Sequence, residues 1–337
     1  MSQMPYTFFG STGMEVSRLC LGAMTFGTKG LAEVEACERV LDEGLAAGVN
    51  FIDTADSYGR SEEILGQVLD PPKREQIYLA TKIYARHCRA GRVARNSRTN
   101  ILNSLERSLR LLRTSYVDLY MLHHPDPHTP LDETMQTLDQ VVRQGKVRYV
   151  GVSNHYAWQI GYMLGRASGL GLVPPVSLQA NYNLIDRQIE RETVPLLERF
   201  NLGLMCYSPL SAGILTGKFH TDEAVDAQAR AAVAGPYVQR AKDETVARIV
   251  RRSREIADQL GLKLNQLAIQ WLLSKPYVST VILGGSRPEH YAALYQTVER
   301  VLPEQVVLEL DDLSAARVDG LHLNQPIRNG FGLAPGR

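Results

Sequence analysis

A surplus of charge of one sign is missing from this chain: its 37 lysines and arginines nearly cancel 36 aspartates and glutamates over 337 residues. No global field therefore argues for a nucleic acid or an anionic membrane as a partner. Paired cysteines are missing as well. Cys20, Cys37, Cys88 and Cys206 form no CxxC and no metal-ligand spacing, and two lie in apolar strand-like runs. Reduced structural thiols in a cytoplasmic chain that binds no metal are the expectation. No apolar run reaches the roughly 18 residues of a membrane span, and the start MSQMPYTFFG has no basic stretch leading into an apolar one, so secretion and insertion are not expected. A further absence concerns glycine. The stretch after Leu21 reads GAMTFG, where a doubly wound dinucleotide-binding sheet calls for G-x-G-x-x-G.

What the chain has is alternation. With 44% hydrophobic and 22% charged residues it is ordinary globular material. After an apolar opening at 6–9 and a turn at 10–13, strand-like runs fall at 17–22, 50–53, 77–83, 116–122, 147–152, 176–180, 202–206 and 280–283. Helical spacing lies between them, at 32–47, 61–69, 98–112, 131–144, 156–168 and 191–200, with two more helices at 242–260 and 264–274 before the last strand and one opened by Pro288 after it. Strands that alternate with helices give a parallel sheet with right-handed crossovers. Eight such units, with polar residues confined to the strand exits, predict one α/β domain: a closed (β/α)8 TIM barrel whose chemistry sits at the C-terminal ends of its strands.

The stretch NFIDTADSY at 50–58 sets the chemistry. An apolar strand there runs out into Asp53, Asp56 and Tyr58, and Gly59 ends the loop. Read alone, it is either an Asx turn or helix cap followed by a surface tyrosine, or a presented set of titratable groups. The neighbouring strand exits favour the second reading, because they bring Lys82 and His123 to the same mouth as Asp53 and Tyr58. A phenol is a poor proton donor at neutral pH unless a cation stabilises its anion. Lys82 is that cation, Asp53 keeps it charged, and His123 donates a hydrogen bond to a carbonyl or shares the proton relay.

The local patterns DTADSYG (53–59), ATK (80–82), DLYMLHHPDP (118–127), GVSN (151–154), QANYN (179–183), YSPLSAGILTGK (207–218) and ILGGSRPE (282–289) resemble, in order, those of the aldo-keto reductases. The likeness is to the longer bacterial kind related to the β subunits of voltage-gated potassium channels. It implies a catalytic tetrad of Asp53, Tyr58, Lys82 and His123. It also implies an NADPH cofactor across the barrel mouth, reduction of an aldehyde or ketone with Tyr58 as general acid, and a small carbonyl compound as substrate. Ser153, Asn154 and Gln179 would hold the nicotinamide carboxamide, which needs both donors and acceptors, and Tyr207 would stack on the ring. Ser208, Pro209, Leu210, Ser211 and Ala212 match the loop beneath the pyrophosphate, with Lys218 capping it. Gly284, Gly285 and Ser286 free backbone amides for a phosphate.

Arg287 is either a clamp on the 2′-phosphate, which favours NADPH over NADH, or a solvated cap. The chain departs from its relatives at the adenine, with His290, Ala293 and Leu294 where polar residues are usual. Met24, Phe26, Tyr84 and His124 are the pocket candidates. The Arg-rich loop 86–98 either draws an anionic substrate or faces water or a second subunit. Residues 219–240 are read as a cofactor lid, and 324–337 as a loop-like tail that covers the mouth or reaches a neighbouring subunit. The competing class is a cofactor-binding redox-sensing or scaffold subunit with little turnover, against which His123 speaks.

Overall fold

Strict alternation along each strand decides what faces the barrel axis. The computed structural model describes residues 4–28, 31–84, 95–219, 239–299 and 301–318. Its eight barrel strands are β3 (Leu19–Gly22), β4 (Phe51–Asp53), β5 (Tyr78–Ile83), β6 (Val117–Leu122), β7 (Val147–Ser153), β8 (Ser177–Asn181), β9 (Gly203–Tyr207) and β10 (Thr280–Leu283). They close in sequence order, with β10 against β3, and every pairing is parallel.

Two hydrophobic layers follow from the period of two. Cys20, Phe51, Ala80, Leu119, Met121 and Met205 fill the barrel interior. Leu21, Ile52, Leu79, Tyr120, Val152, Leu178 and Leu204 belong to the outer layer, under the helices. The interior positions continue upward as Asp53, Lys82, His123, Ser153, Gln179 and Tyr207, so the parity that buries the core also lines the mouth.

A hairpin of β1 (Tyr6–Phe8) and β2 (Glu15–Ser17) plugs the opposite end. The Phe9 ring meets Phe51 edge-on at 5.3 Å inside the barrel. Gly203 is required there, because a Cβ at that position would come within 2.8 Å of the Phe9 ring.

The helices are α1 (Val34–Ala46), α2 (Ser61–Val68), α3 (Pro71–Glu75), α4 (Arg98–Leu111), α5 (Leu131–Arg143), α6 (Ala157–Leu170), α7 (Ile189–Phe200), α8 (Glu244–Gln259), α9 (Leu264–Leu273), α10 (Pro288–Tyr295) and α11 (Glu304–Leu313). Pro71-Pro72 ends one helix and begins another. The Asp70 carboxylate accepts from the Lys73 N–H at 2.9 Å, and proline at a first turn sacrifices no hydrogen bond. The sequence reading contained neither α11 nor the β1–β2 pairing. The lid at 219–240 lies almost wholly outside the described residues, as do the tail 324–337 and most of the arginine-rich loop.

Candidate active site

Lys82 is the most constrained charge in the mouth. It is fully buried, and its ammonium donates to Asp53 Oδ1 at 2.6 Å, Asp53 Oδ2 at 2.7 Å and the Thr54 carbonyl at 2.7 Å. Three acceptors match its three N–H bonds. Burial alone pushes a lysine down, but the Asp53 carboxylate, with help from Tyr58, overcomes it and holds Lys82 above its ordinary value. Gln179 adds a fourth contact to this core, its Nε2 donating to Asp53 Oδ1 at 2.8 Å.

Tyr58 stands over this pair. The Lys82 ammonium lies 5.0 Å from its ring centre, so the half-buried phenol feels a permanent positive charge. His123 meets the Tyr58 ring edge-on at 5.7 Å and stacks on His124 at 4.9 Å, and Tyr84 packs edge-on against both histidines. Burial, then Lys82 and His124, press His123 down to about 2. Burial and Arg95 bring His124 to about 4. Both imidazoles are thus neutral at physiological pH. A neutral imidazole keeps one ring N–H to donate and one ring nitrogen to accept. The His123 Nδ1 is buried and has no hydrogen-bond partner among the described residues.

The amides gather on the far side of the mouth. Asn154, in a left-handed conformation at the β7 exit (φ 61°), donates to the His123 carbonyl at 3.0 Å and to Ser153 Oγ at 3.1 Å. It also accepts from the Tyr207 hydroxyl at 2.7 Å, which fixes the tilt of that ring. Ser208, Ser211 and Ala212 have φ of 52°, 46° and 54°. Non-glycine residues in this region cost about 1–3 kcal/mol each and persist where the surroundings dictate them. Ser211 Oγ is buried there without a partner among the described residues.

The match to the aldo/keto reductase family covers residues 18–315. This chain belongs to that family. Among similar proteins are a putative voltage-gated potassium channel β subunit of Schizosaccharomyces pombe, 33% identical over 92% of this chain and 93% of its own length, and a probable one of Arabidopsis thaliana, 35% identical over 92% and 95%. An uncharacterized oxidoreductase of Bacillus subtilis, YrpG, is 31% identical over 92% and 96%. The barrel and the order of its motifs are therefore those of an aldo/keto reductase.

In this aldo/keto reductase the exit of β10 gathers cations. Arg287 and His290 are exposed at the start of α10. Partial burial first, then the nearby charges of Arg287 and Lys218, hold His290 below its ordinary value. Gly285 is close-packed: a Cβ there would lie 2.7 Å from His290 Cβ, and its carbonyl accepts from Thr25 Oγ1 at 2.6 Å.

One expectation is corrected. Phe26 does not line the pocket; it is fully buried in the outer hydrophobic layer, whereas Met24 is 37% exposed. Leu294 is 2% exposed and packs in the same layer, because α10 turns that side inward. It is a core residue, in keeping with the departure from the usual polar adenine contact. Ala293 remains partly accessible.

Asp56 was left without a role by the sequence, although it sits in DTADSYG. Its N–H donates to the Lys82 carbonyl at 3.1 Å, and its Oδ1 accepts from the Tyr84 N–H at 2.9 Å, tying the Tyr58 loop to the β5 exit. Oδ2 is buried, with the Ser104 hydroxyl as the nearby group that favours its charged form. Burial, opposed by the Tyr84 N–H and reinforced by Glu62, pushes this carboxyl from 3.8 to about 7. A raised carboxyl pKa means the folded state holds a proton that the unfolded state releases. The associated stability is full below pH 3.8 and is lost as pH rises through about 7, by at most about 4 kcal/mol. Asp56→Asn is therefore expected to raise Tm at about pH 8 more than at about pH 5. Thermal melts with equal shifts at both pH values would contradict the assignment.

Proposed function

We propose that this protein reduces an aldehyde or ketone to the alcohol with NADPH, Tyr58 giving a proton to the carbonyl oxygen. One observation carries the reading: a buried Lys82 ammonium, locked on both oxygens of Asp53, lies 5.0 Å from the Tyr58 ring. A permanent cation beside a phenol stabilises the phenolate left when the proton goes to a nascent alkoxide. Lys82 makes Tyr58 an acid, and Asp53 keeps Lys82 charged.

The donor and acceptor set suits an extended dinucleotide. Ser153, Asn154 and Gln179 supply hydroxyl and amide groups to a carboxamide, with the Gln179 amide oxygen at the end away from Asp53. Tyr207, held by Asn154, offers a ring face. The turned backbone of Ser208, Pro209, Leu210, Ser211 and Ala212, with a Ser211 hydroxyl unpartnered among the described residues, takes the pyrophosphate alongside Lys218. Gly284, Gly285, Ser286, Arg287 and His290 take the remaining phosphate, which favours NADPH over NADH. The cofactor, when bound, supplies the hydride to the carbonyl carbon. His123, neutral, donates a hydrogen bond to the carbonyl oxygen and orients it. Met24, Tyr84 and His124 wall the substrate side. In the reverse direction the Tyr58 phenolate takes the alcohol proton.

The test is NADPH consumption, followed by absorbance, against aldehydes, keto acids, sugars and quinones. Turnover with at least one class is expected. Arg287→Ala is expected to lower the preference for NADPH over NADH about tenfold or more, the usual worth of a charge-assisted contact. Equal efficiency with both cofactors, unchanged in that variant, would remove the NADPH assignment. The channel-subunit names of two relatives favour a second reading, a redox-sensing or scaffold subunit. Tight cofactor binding with no turnover on any class would select it.

A further inference from the structure

We infer that Asn183 is a positioning residue for the dinucleotide, its buried carboxamide holding the left-handed backbone of Ser208 in the shape the cofactor loop requires. This deepens the proposed function, since it rests on reading residues 208–212 as that loop.

Asn183 lies two residues beyond β8 and is fully buried. Its Nδ2 donates to the Ser208 carbonyl at 3.0 Å and to Asp186 Oδ2 at 3.1 Å, with Asn181 Oδ1 more distant at 3.3 Å. Its Oδ1 accepts from the N–H groups of Ile185 at 2.9 Å and Asp186 at 3.0 Å. The frame around it is rigid. The turn 183–186 is closed by backbone hydrogen bonds in both directions. Asp186 Oδ1 is in turn ion-paired with the buried Arg240.

The other end of this contact is strained. Ser208 (φ 52°) opens a stretch in which Ser211, Ala212 and Gly213 also have positive φ (46°, 54° and 96°). Such a run keeps its shape only where neighbours over-determine it. The Ser208 carbonyl is gripped from inside the loop by the Ser211 N–H at 2.9 Å and from the β8 exit by Asn183. The inner grip moves with the loop; the outer one fixes it to the barrel.

Only a short carboxamide does both jobs here. The turn needs an acceptor for two N–H groups, and Ser208 needs a donor. An aspartate at 183 keeps the acceptor, loses the donor and faces the Asp186 carboxylate. The plainer alternative is a residue that serves its own turn and nothing else. Glycine at 208 separates the two, because it adopts positive φ without penalty and so needs the clamp less.

The experiment uses the full chain and measures NADPH Kd by calorimetry, with kcat at saturating cofactor on a reducible aldehyde. Asn183→Ala is expected to weaken NADPH about tenfold or more while kcat stays within about twofold. Adding Ser208→Gly to it is expected to restore most of the lost affinity. Should Asn183→Ala fail to fold, Asn183→Asp keeps the turn's acceptor and is expected to show the same loss and the same rescue. Unchanged affinity in the folded variant overturns the inference. So does a loss that Ser208→Gly leaves untouched. A wild-type protein that binds no NADPH removes the reading of the loop itself, and the inference with it.

Discussion

Lys82→Met is expected to abolish measurable carbonyl reduction and to lower stability by about 3–5 kcal/mol, the usual cost of stripping one partner from a buried ion pair. The expectation follows from the three acceptors around the ammonium. Without it, Asp53 keeps a carboxylate that is 3% exposed and loses its counter-charge, while the Gln179 amide still donates to it at 2.8 Å. Denaturant unfolding and NADPH turnover on the same preparation measure both effects. A double variant, Lys82→Met with Asp53→Leu, separates them. Removing both charges recovers most of the stability, because buried pairs are often neutral against apolar replacements. Turnover stays absent, since no cation then faces Tyr58. A double variant that regained turnover would show that the cation is dispensable.

Tyr58→Phe is the more selective change. The phenol is half-buried, and its ring packs edge-on against His123 at 5.7 Å, a contact that phenylalanine reproduces. Stability and NADPH affinity are expected to stay near wild type. Turnover is expected to fall about 10²–10⁴-fold, the ordinary worth of a positioned general acid. Equilibrium binding and steady-state kinetics of the purified variant check the two halves separately. His123 is a poor replacement for the missing acid, because a histidine held down to about 2 is neutral at neutral pH, and its remaining N–H is a far weaker acid than an imidazolium.

The barrel was legible because its signal is local and periodic. Apolar runs ended by polar residues located all eight strands, and strand parity then carried Asp53, Lys82, His123, Gln179 and Tyr207 to one mouth. Residues whose roles depend on which way a turn or helix faces were less legible. Phe26 looks like a pocket residue in a string of letters, yet the turn after β3 buries it in the hydrophobic layer beneath the helices, as α10 buries Leu294. The helix does so because it packs against α1 and the barrel. Hydrogen-bond partners at long sequence separation were invisible too. Asn183 stood within a recognised motif, but its contact with Ser208 spans 25 residues and depends on how two strand exits lie side by side. Asp56 carried a signal in its neighbourhood, a second carboxylate beside Asp53. Its raised pKa needed burial that no spacing reveals. The hairpin β1–β2 escaped because its second strand, Glu15–Ser17, has only Val16 as an apolar residue to mark it.

The central claim is that Tyr58, beside the Lys82–Asp53 pair, delivers the proton that completes reduction. Single-turnover reduction of an aldehyde by the NADPH-loaded protein, followed as a function of pH in wild type and Tyr58→Phe, tests it most directly. The expected result is a wild-type rate that falls at high pH as one group loses its proton, and a residual Tyr58→Phe rate, orders of magnitude lower, that is flat over the same range. A Tyr58→Phe protein with the rate and pH profile of wild type would contradict it.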